Sequence, residues 1–468
     1  MHVRYLRIQG RVLPDEVFED YIRLFPDRPF LPRVQSINMR ASSVQSISSL
    51  QWLRFLLRSS TPAENQPSAS ASTLKHLHIC YTPPRNAGGG SRFPTPDLIA
   101  FQHANAKLGG GLEVFKIVDY HPFRRHHTLE YQGIIENAFV LPLPETVDSP
   151  AHGLRHFEVA HSLCELPDFF VRVTKMRALE HLKIWVSECD DDVCEVENKK
   201  QSVQHSLTSL EIEGFWWDLF PAINLFASPS ATAQLRSLRL YYHQMDRALT
   251  GANVAQVLDF PTSVVPPEHL ETLTVELVDH SLHPRSKAPI LTTNVLQPLL
   301  QYRKMAKLHL VLPCSICLDL KFLHALAAVM GGTLSHLVVL RAATYWRDGS
   351  FKPVLTVEDL STIAGVLFPR LVTLGLEVPW RDTPSCAERN YSVASSLLQT
   401  LHVGMNRAFF RQESSNVAIF LKDRFPVLQY LYSNRVENPN DDVWRVVMAA
   451  NGYGGGCYGP SGEDYLRY

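Results

Sequence analysis

One apolar phrase, L-x-x-L-x-L, recurs along the chain and limits what it can fold into more than any other feature. It is plain in TLKHLHICY at 73–81, where Leu74, Leu77 and Ile79 are separated by polar residues. The spacing returns at Val3-Leu6-Ile8, Val34-Ile37-Met39, Leu112-Phe115-Ile117, Leu154-Phe157-Val159, Leu179-Leu182-Ile184 and Leu207-Leu210-Ile212. It continues at Leu235-Leu238-Leu240, Leu270-Leu273-Val275, Met305-Leu308-Leu310, Leu334-Leu337-Val339, Leu371-Leu374-Leu376, Leu398-Leu401-Val403 and, more weakly, Leu428-Leu431. Successive starts between residues 3 and 428 lie 25 to 42 residues apart, a cadence that chance alternation would not keep.

The spacing has a physical meaning. The last two apolar residues, two apart, point to one face of a short strand, and the first anchors the turn before it. A single coil cannot bury that edge alone, but stacked coils bury one another's leucines and line their strands up in parallel. The expected fold is therefore α/β: a right-handed leucine-rich-repeat solenoid over 1–445, about 14 irregular coils with a concave parallel sheet of short strands and outer helices. The Gly-rich end, 446–468, reads as a tail.

Helical periodicity fills several of the intervals. LPDFFVRVTKM sets Leu166, Phe169, Phe170, Val173 and Met176 on one stripe. In TVEDLSTIAGVLF, Thr356 can cap a first turn holding Glu358 and Asp359, with Leu360, Ile363 and Leu367 facing inward. Helices are also expected at 16–25, 48–58, 294–304, 320–330 and 415–424. Pro, Gly and Ser-rich stretches at 60–72 and 83–96, and the acidic then basic stretch 187–202, read as surface loops.

Composition narrows the role. With 45% hydrophobic and 19% charged residues the chain can bury a core, and its formal charge of −1 provides no global field for nucleic acid or a membrane surface. The start MHVRYLRIQG has no apolar signal region, and no apolar run is long enough to span a bilayer. Eight scattered cysteines fit reduced thiols, and a cytoplasmic or nuclear protein is expected.

With the repeats in view, the chain resembles F-box type leucine-rich-repeat proteins of the divergent fungal kind. The carriers are LFPDRPFLPRVQSINMR (24–40), STLKHLHIC (72–80), PDFFVRVTKMRALEHLKIW (167–185) and LFPRLVTLGLEV (367–378). The F-box itself is not visible, because a repeat strand already begins at Val3, so it was lost or lies upstream. The Asn that ties neighbouring coils in regular repeats is clear only at Asn406, with Ser42, Thr82, Ser162 and Ser187 as weak substitutes. The resemblance implies the substrate-binding part of a ubiquitin-ligase receptor. It also implies a cullin-ligase adaptor as partner if an F-box module precedes this chain.

No residue set points to catalysis, a metal or a cofactor. Cys314 and Cys317 form one C-x-x-C without the second pair that zinc needs. Cys189 and Cys194 flank an acidic loop, HPFRRHH (121–127) is too short for a nucleic-acid face, and His152, His156 and His161 lack a G-x-S-x-G partner. The Gly-rich pieces at 88–90, 109–111 and 454–456 lack the G-K-[ST] ending of a phosphate loop.

What remains is the polar row between the leucines. Its members include His76, His78, His156, Glu158, His181, Lys183, Ser209, Glu211, Ser237, Arg239, Thr272, Thr274, Lys307 and His309, and both signs are mixed, which suits a protein partner. Aromatics follow the strands at Trp185, at Phe215, Trp216 and Trp217, and at Tyr241 and Tyr242, with a second group at Tyr345, Trp346 and Trp380. Such rings either anchor a partner or roof the core. Trp216 and Trp217 are adjacent, so an extended backbone cannot turn both inward. The candidate partner-binding set is thus Trp185, Phe215, Trp216, Trp217, Tyr241, Tyr242, His181, Lys183, Glu211 and Arg239. The expected function is non-catalytic protein recognition on the concave face, as a ligase substrate receptor or, alternatively, as a scaffold without ligase association.

Overall fold

Each leucine phrase forms a short strand, and Ile37, Leu77, Phe157, Leu182, Leu210, Leu238, Leu273, Leu308, Leu337, Leu374, Leu401 and Leu431 at its inner position are buried. In a computed structural model, the described residues are 4–8, 20, 23–24, 34–41, 75–81, 113–119, 154–159, 178–186, 207–215, 234–243, 251–277, 290–312, 314–341, 353–380, 383, 397–403, 414–434 and 443–458. The expected array divides into two compact units, Met1–Thr232 and Ala233–Tyr468.

The first unit contains β1 (Tyr5–Ile8), β2 (Ser36–Ala41), β3 (His76–Tyr81), β4 (Val114–Asp119), β5 (His156–Val159), β6 (His181–Val186) and β7 (Ser209–Phe215). Each strand pairs in parallel with the one before it in sequence. One register line runs Leu6, Ile37, Leu77, Phe115, Phe157, Leu182, Leu210. Of these, Ile37, Leu77, Phe157, Leu182 and Leu210 are buried, as are Ile184 and Ile212 two residues on.

The second unit adds β8 (Ser237–His243), α1 (Gly251–Val264), β9 (Thr272–Leu277), β10 (Ile290–Thr292), β11 (Lys307–Leu312), β12 (Ser315–Cys317), α2 (Leu320–Met330) and β13 (His336–Arg341). After these come α3 (Asp359–Thr362), β14 (Thr373–Leu376), β15 (Thr400–His402), α4 (Ser414–Arg424), β16 (Tyr430–Asn434), α5 (Val443–Asn451) and β17 (Gly454–Tyr458). Its main sheet is parallel in the order β8-β9-β11-β13-β14-β15-β16-β17, and β10 pairs with β12 in a small second sheet.

Of the expected helices, 320–330 and 415–424 correspond to α2 and α4, most of 16–25 lies outside the described residues, and α1 and α5 fall where periodicity predicts none. Segment 320–330 is α2, with Asp319 accepting a hydrogen bond from the Phe322 N–H at 2.7 Å and Phe322, Leu323, Leu326 and Met330 buried. Thr356 and Asp359 cap each other, the Asp359 N–H reaching Thr356 Oγ1 at 3.3 Å and the Thr356 N–H reaching Asp359 Oδ2 at 2.7 Å. Leu360, Ile363 and Leu367 then face inward as expected, although Ile363–Leu367 is a π-helical turn. Thr293–Gln301 is a 3-10 helix with Pro298 inside it, rather than α-helix. Helix α1 packs on this 3-10 segment, which packs on α2, and α2 packs on the π turn, so the helical layer follows chain order as the sheet does.

Backbone geometry sets the stacking. The carbonyl just before each strand accepts two N–H groups from the next coil: Gln35 O takes Lys75 and His76, and Lys75 O takes Glu113 and Val114. The pattern repeats at Glu113, Arg155 and Glu180, and in the second unit at Arg236, Glu271, Ala306, Ser335, Val372 and Gln399. Hydroxyls add to it, Thr208 Oγ1 donating to Glu180 O at 3.1 Å and Ser335 Oγ to Ala306 O at 3.0 Å. These bonds join the coils where an Asn row was sought; Asn406 itself lies outside the described residues.

One expectation is corrected. Gly454–Tyr458, read from sequence as tail, is strand β17, and its Gly454 N–H bonds Gln429 O at 2.8 Å. Gly452 makes this possible: its φ of 68° ends α5, and the Tyr453 N–H closes back on Met448 O at 3.0 Å. The loops expected at 60–72, 83–96 and 187–202, and the helices expected at 48–58 and 166–176, lie outside the described residues.

Candidate functional site

On the first unit's sheet, the side chains that alternate with the leucines form rows of opposite charge. The third strand position reads Arg7, Asn38, His78, Lys116, Glu158, Lys183, Glu211 across β1 to β7. Lys116 Nζ lies 3.2 Å from Glu158 Oε2, and Lys183 Nζ lies 3.8 Å from Glu158 Oε1 and 2.5 Å from Glu211 Oε1. The residues just before the strands form a second row. There Lys75 Nζ meets Glu113 Oε1 at 2.6 Å, and Arg155 Nη1 meets Glu180 Oε1 at 3.5 Å.

The two rows are in antiphase. β4 carries Glu113 then Lys116, β5 carries Arg155 then Glu158, and β6 carries Glu180 then Lys183, so charge alternates both along and across the strands. Parallel in-register pairing is the cause, since it sets equivalent side chains about 4.8 Å apart.

Between the rows stand His156 and His181, their ring centroids 5.4 Å apart. Partial desolvation by the surrounding sheet lowers the His181 pKa, and nearby His156 lowers it further. Burial also lowers that of His78, against the pull of Glu158. Glu158 shows the opposite balance: burial would raise its carboxyl, but the His156 hydrogen bond and the Lys183 and Lys116 charges bring it down to about 2. For Lys183 burial disfavours the charge, and Glu211 and Glu158 outweigh it and raise the pKa.

The second unit presents different chemistry at the same strand position: Arg239, Thr274, His309, Val338, Gly375, His402 and Tyr432. Thr274, Val338 and His402 are buried. A Cβ on Gly375 would come within 3.0 Å of His402 Cβ and Val338 Cγ1, so the bare glycine gives His402 room to reach across. The His402 ring thus stands 6.4 Å from that of His309 and 5.3 Å from Tyr432. Burial, reinforced by Lys307 and His336, drops the His402 pKa to about 3.

The sequence-derived candidates separate on this frame. His181 is exposed and Lys183 and Glu211 are half-buried in the charge rows, while Arg239 is half-buried in the second unit. Tyr241 and Tyr242 are corrected as partner anchors, because they are 7% and 0% exposed. The reason is ladder length: β8 continues past its leucines, placing Tyr241 and Tyr242 in register with Glu276 and Leu277. The backbones of Trp185 and Phe215 belong to β6 and β7, Trp185 in register with Glu213, and their side chains lie outside the described residues. Trp216, Trp217, Tyr345 and Trp346 lie outside the described residues, and Trp380 is buried.

The antiphase row was missed by reading only the positions between the leucines. Its signal was present, since Lys75, Glu113, Arg155 and Glu180 each follow the first apolar residue of a phrase.

The Cys314 thiol is buried and its pKa is pushed up to about 12, the reverse of what a reactive thiolate needs. It lines a cleft with Ile316, Val339, Arg341, Val354 and Glu377 that has room for about one water. Among the described residues, no group of three or more His, Cys, Asp or Glu is placed to hold a metal ion. No helix among them is long and apolar enough to cross a membrane.

No protein-family model matches the chain, and no curated protein matches it. Among solved structures it is similar to the yeast complex of Rad7 and Elc1, at 14% identity and a TM-score of 0.38, covering 89% of this chain and 73% of that one. Overlap at that level carries no argument about fold or role.

Proposed function

We propose that each unit is a leucine-rich-repeat stack of the solenoid type and that the chain is a non-catalytic protein-recognition module. The observation that carries this reading is the pair of charge rows on β3 to β7, in antiphase over β4 to β6 and held in register by the strands beneath. Charges fixed in this way give specificity and steer association with a complementary protein surface. They suit a polyanion or an apolar membrane poorly, because both signs are interleaved.

Membership of a ubiquitin ligase rests on the resemblance of the repeat segments to F-box type proteins, and the alternative is a scaffold with no ligase link. Affinity purification of the full chain with mass spectrometry tests both levels. Arg155→Glu reverses one exposed charge, so it should abolish capture of the bound proteins while shifting the thermal midpoint little. An unchanged set of captured proteins would remove the charged face from the binding role. Recovery of a cullin-ligase adaptor would select the ligase reading.

A further inference from the structure

The charges on the first unit's face are mixed strand by strand but polarised along the row. Among the described side chains, β1 to β4 and the residues just before them carry Arg4, Arg7, Lys75 and Lys116 against Glu113, four cations to one anion. At β5 and β6 the signs balance, Arg155 and Lys183 against Glu158 and Glu180. At β7 only Glu211 and Glu213 remain. The face is therefore cationic at one end and anionic at the other.

We propose that this face binds a bipolar α-helix of a partner protein, laid across the strands with its acidic end over β1 to β4 and its basic end over β7. This proposal rests on the protein-recognition reading above and specifies its partner. Two lengths support a helix. Strands stand about 4.8 Å apart and helical turns about 5.4 Å apart, so a helix slips only about 0.6 Å per strand and stays within about 2 Å of step over three intervals. Six strand intervals cover roughly 29 Å, the length of about 19 helical residues at 1.5 Å each. An extended segment presents same-face side chains nearly 7 Å apart and falls out of step within three strands. A helix with Glu in its first turns and Lys in its last is also favoured by its own dipole, which fixes direction: its N-terminus lies over β1.

Fluorescence anisotropy of two labelled 20-residue helical peptides against the full chain tests this. Both have the same Glu and Lys composition; one segregates the signs along one face, and the other alternates them. The segregated peptide should bind at least tenfold more tightly at low ionic strength, with the difference vanishing in high salt. Arg7→Glu with Lys75→Glu at one end, or Glu213→Lys at the other, should each erase most of that preference. Equal affinity of the two peptides for the unsubstituted chain overturns the proposal without needing any variant. If the peptides bind alike while Arg155→Glu still abolishes capture of cellular proteins, protein recognition stands and the bipolar helix falls.

Discussion

Lys183 shows how much a single side chain can hold. It stands between Glu158 and Glu211, and its aliphatic stem lies along half-buried sheet, so its removal leaves two carboxylates without the cation they share. Lys183→Met should therefore cost roughly 1–3 kcal/mol, read from urea denaturation at neutral pH. The pH dependence follows from Glu158. Its proton binds below about 4.5 in the unfolded chain but only near 2 in the folded one. The stability this provides, on the order of 3 kcal/mol, is complete above pH 4.5 and fades as pH falls from 4.5 towards 2. In Lys183→Met the folded-state pKa rises, so the fade should still begin near pH 4.5 but end at higher pH and be smaller in total. A denaturation midpoint with identical pH dependence in both proteins would show that Lys183 does not hold the Glu158 charge.

At the scale of the element, close backbone contact matters as much as side chains. At the C-terminal end of α2, a Cβ added to Gly331 would stand 2.5 Å from Ala327 O and 2.8 Å from Leu367 O, both backbone atoms that cannot swing aside. The neighbouring Gly332 has open space. Gly331→Ala should lower stability by about 1–3 kcal/mol, whereas Gly332→Ala should be nearly silent in the same thermal melts. Such contrasts lie outside sequence reach, because two adjacent glycines look alike until the next coil is in place.

Strands and capped helices were far more legible. The apolar spacing marked β1 to β9, β11 and β13 to β16, and Thr356 marked a helix start. β17 escaped because Gly455 stands where β16 carries Leu431, leaving the ladder to backbone bonds that composition does not reveal. At the site, Lys183 and Glu211 were legible through their alternation with leucines. Tyr241 and Tyr242 were misplaced because the phrase marks a strand's centre and not its end.

At the scale of the whole molecule, each strand of a unit touches mainly its immediate neighbours, so damage should spread by adjacency. Leu182 is 2% exposed in the core line of the first unit. Leu182→Ala should cost about 2–5 kcal/mol. In hydrogen exchange it should raise amide opening first in β5, β6 and β7, and only later in β2 and β3. Uniform acceleration across all seven strands would mean that the unit opens as one body.

The doubled acceptor before each strand has a further consequence. Because a main-chain oxygen seats the incoming coil, any amino acid can occupy that place without loosening the join, provided the nitrogens that follow are free to donate. Intervals between successive phrases range from 25 to 42 residues over one unbroken pattern of such oxygens within each unit. The main-chain join by itself therefore accepts intervals of different length and composition between one phrase and the next.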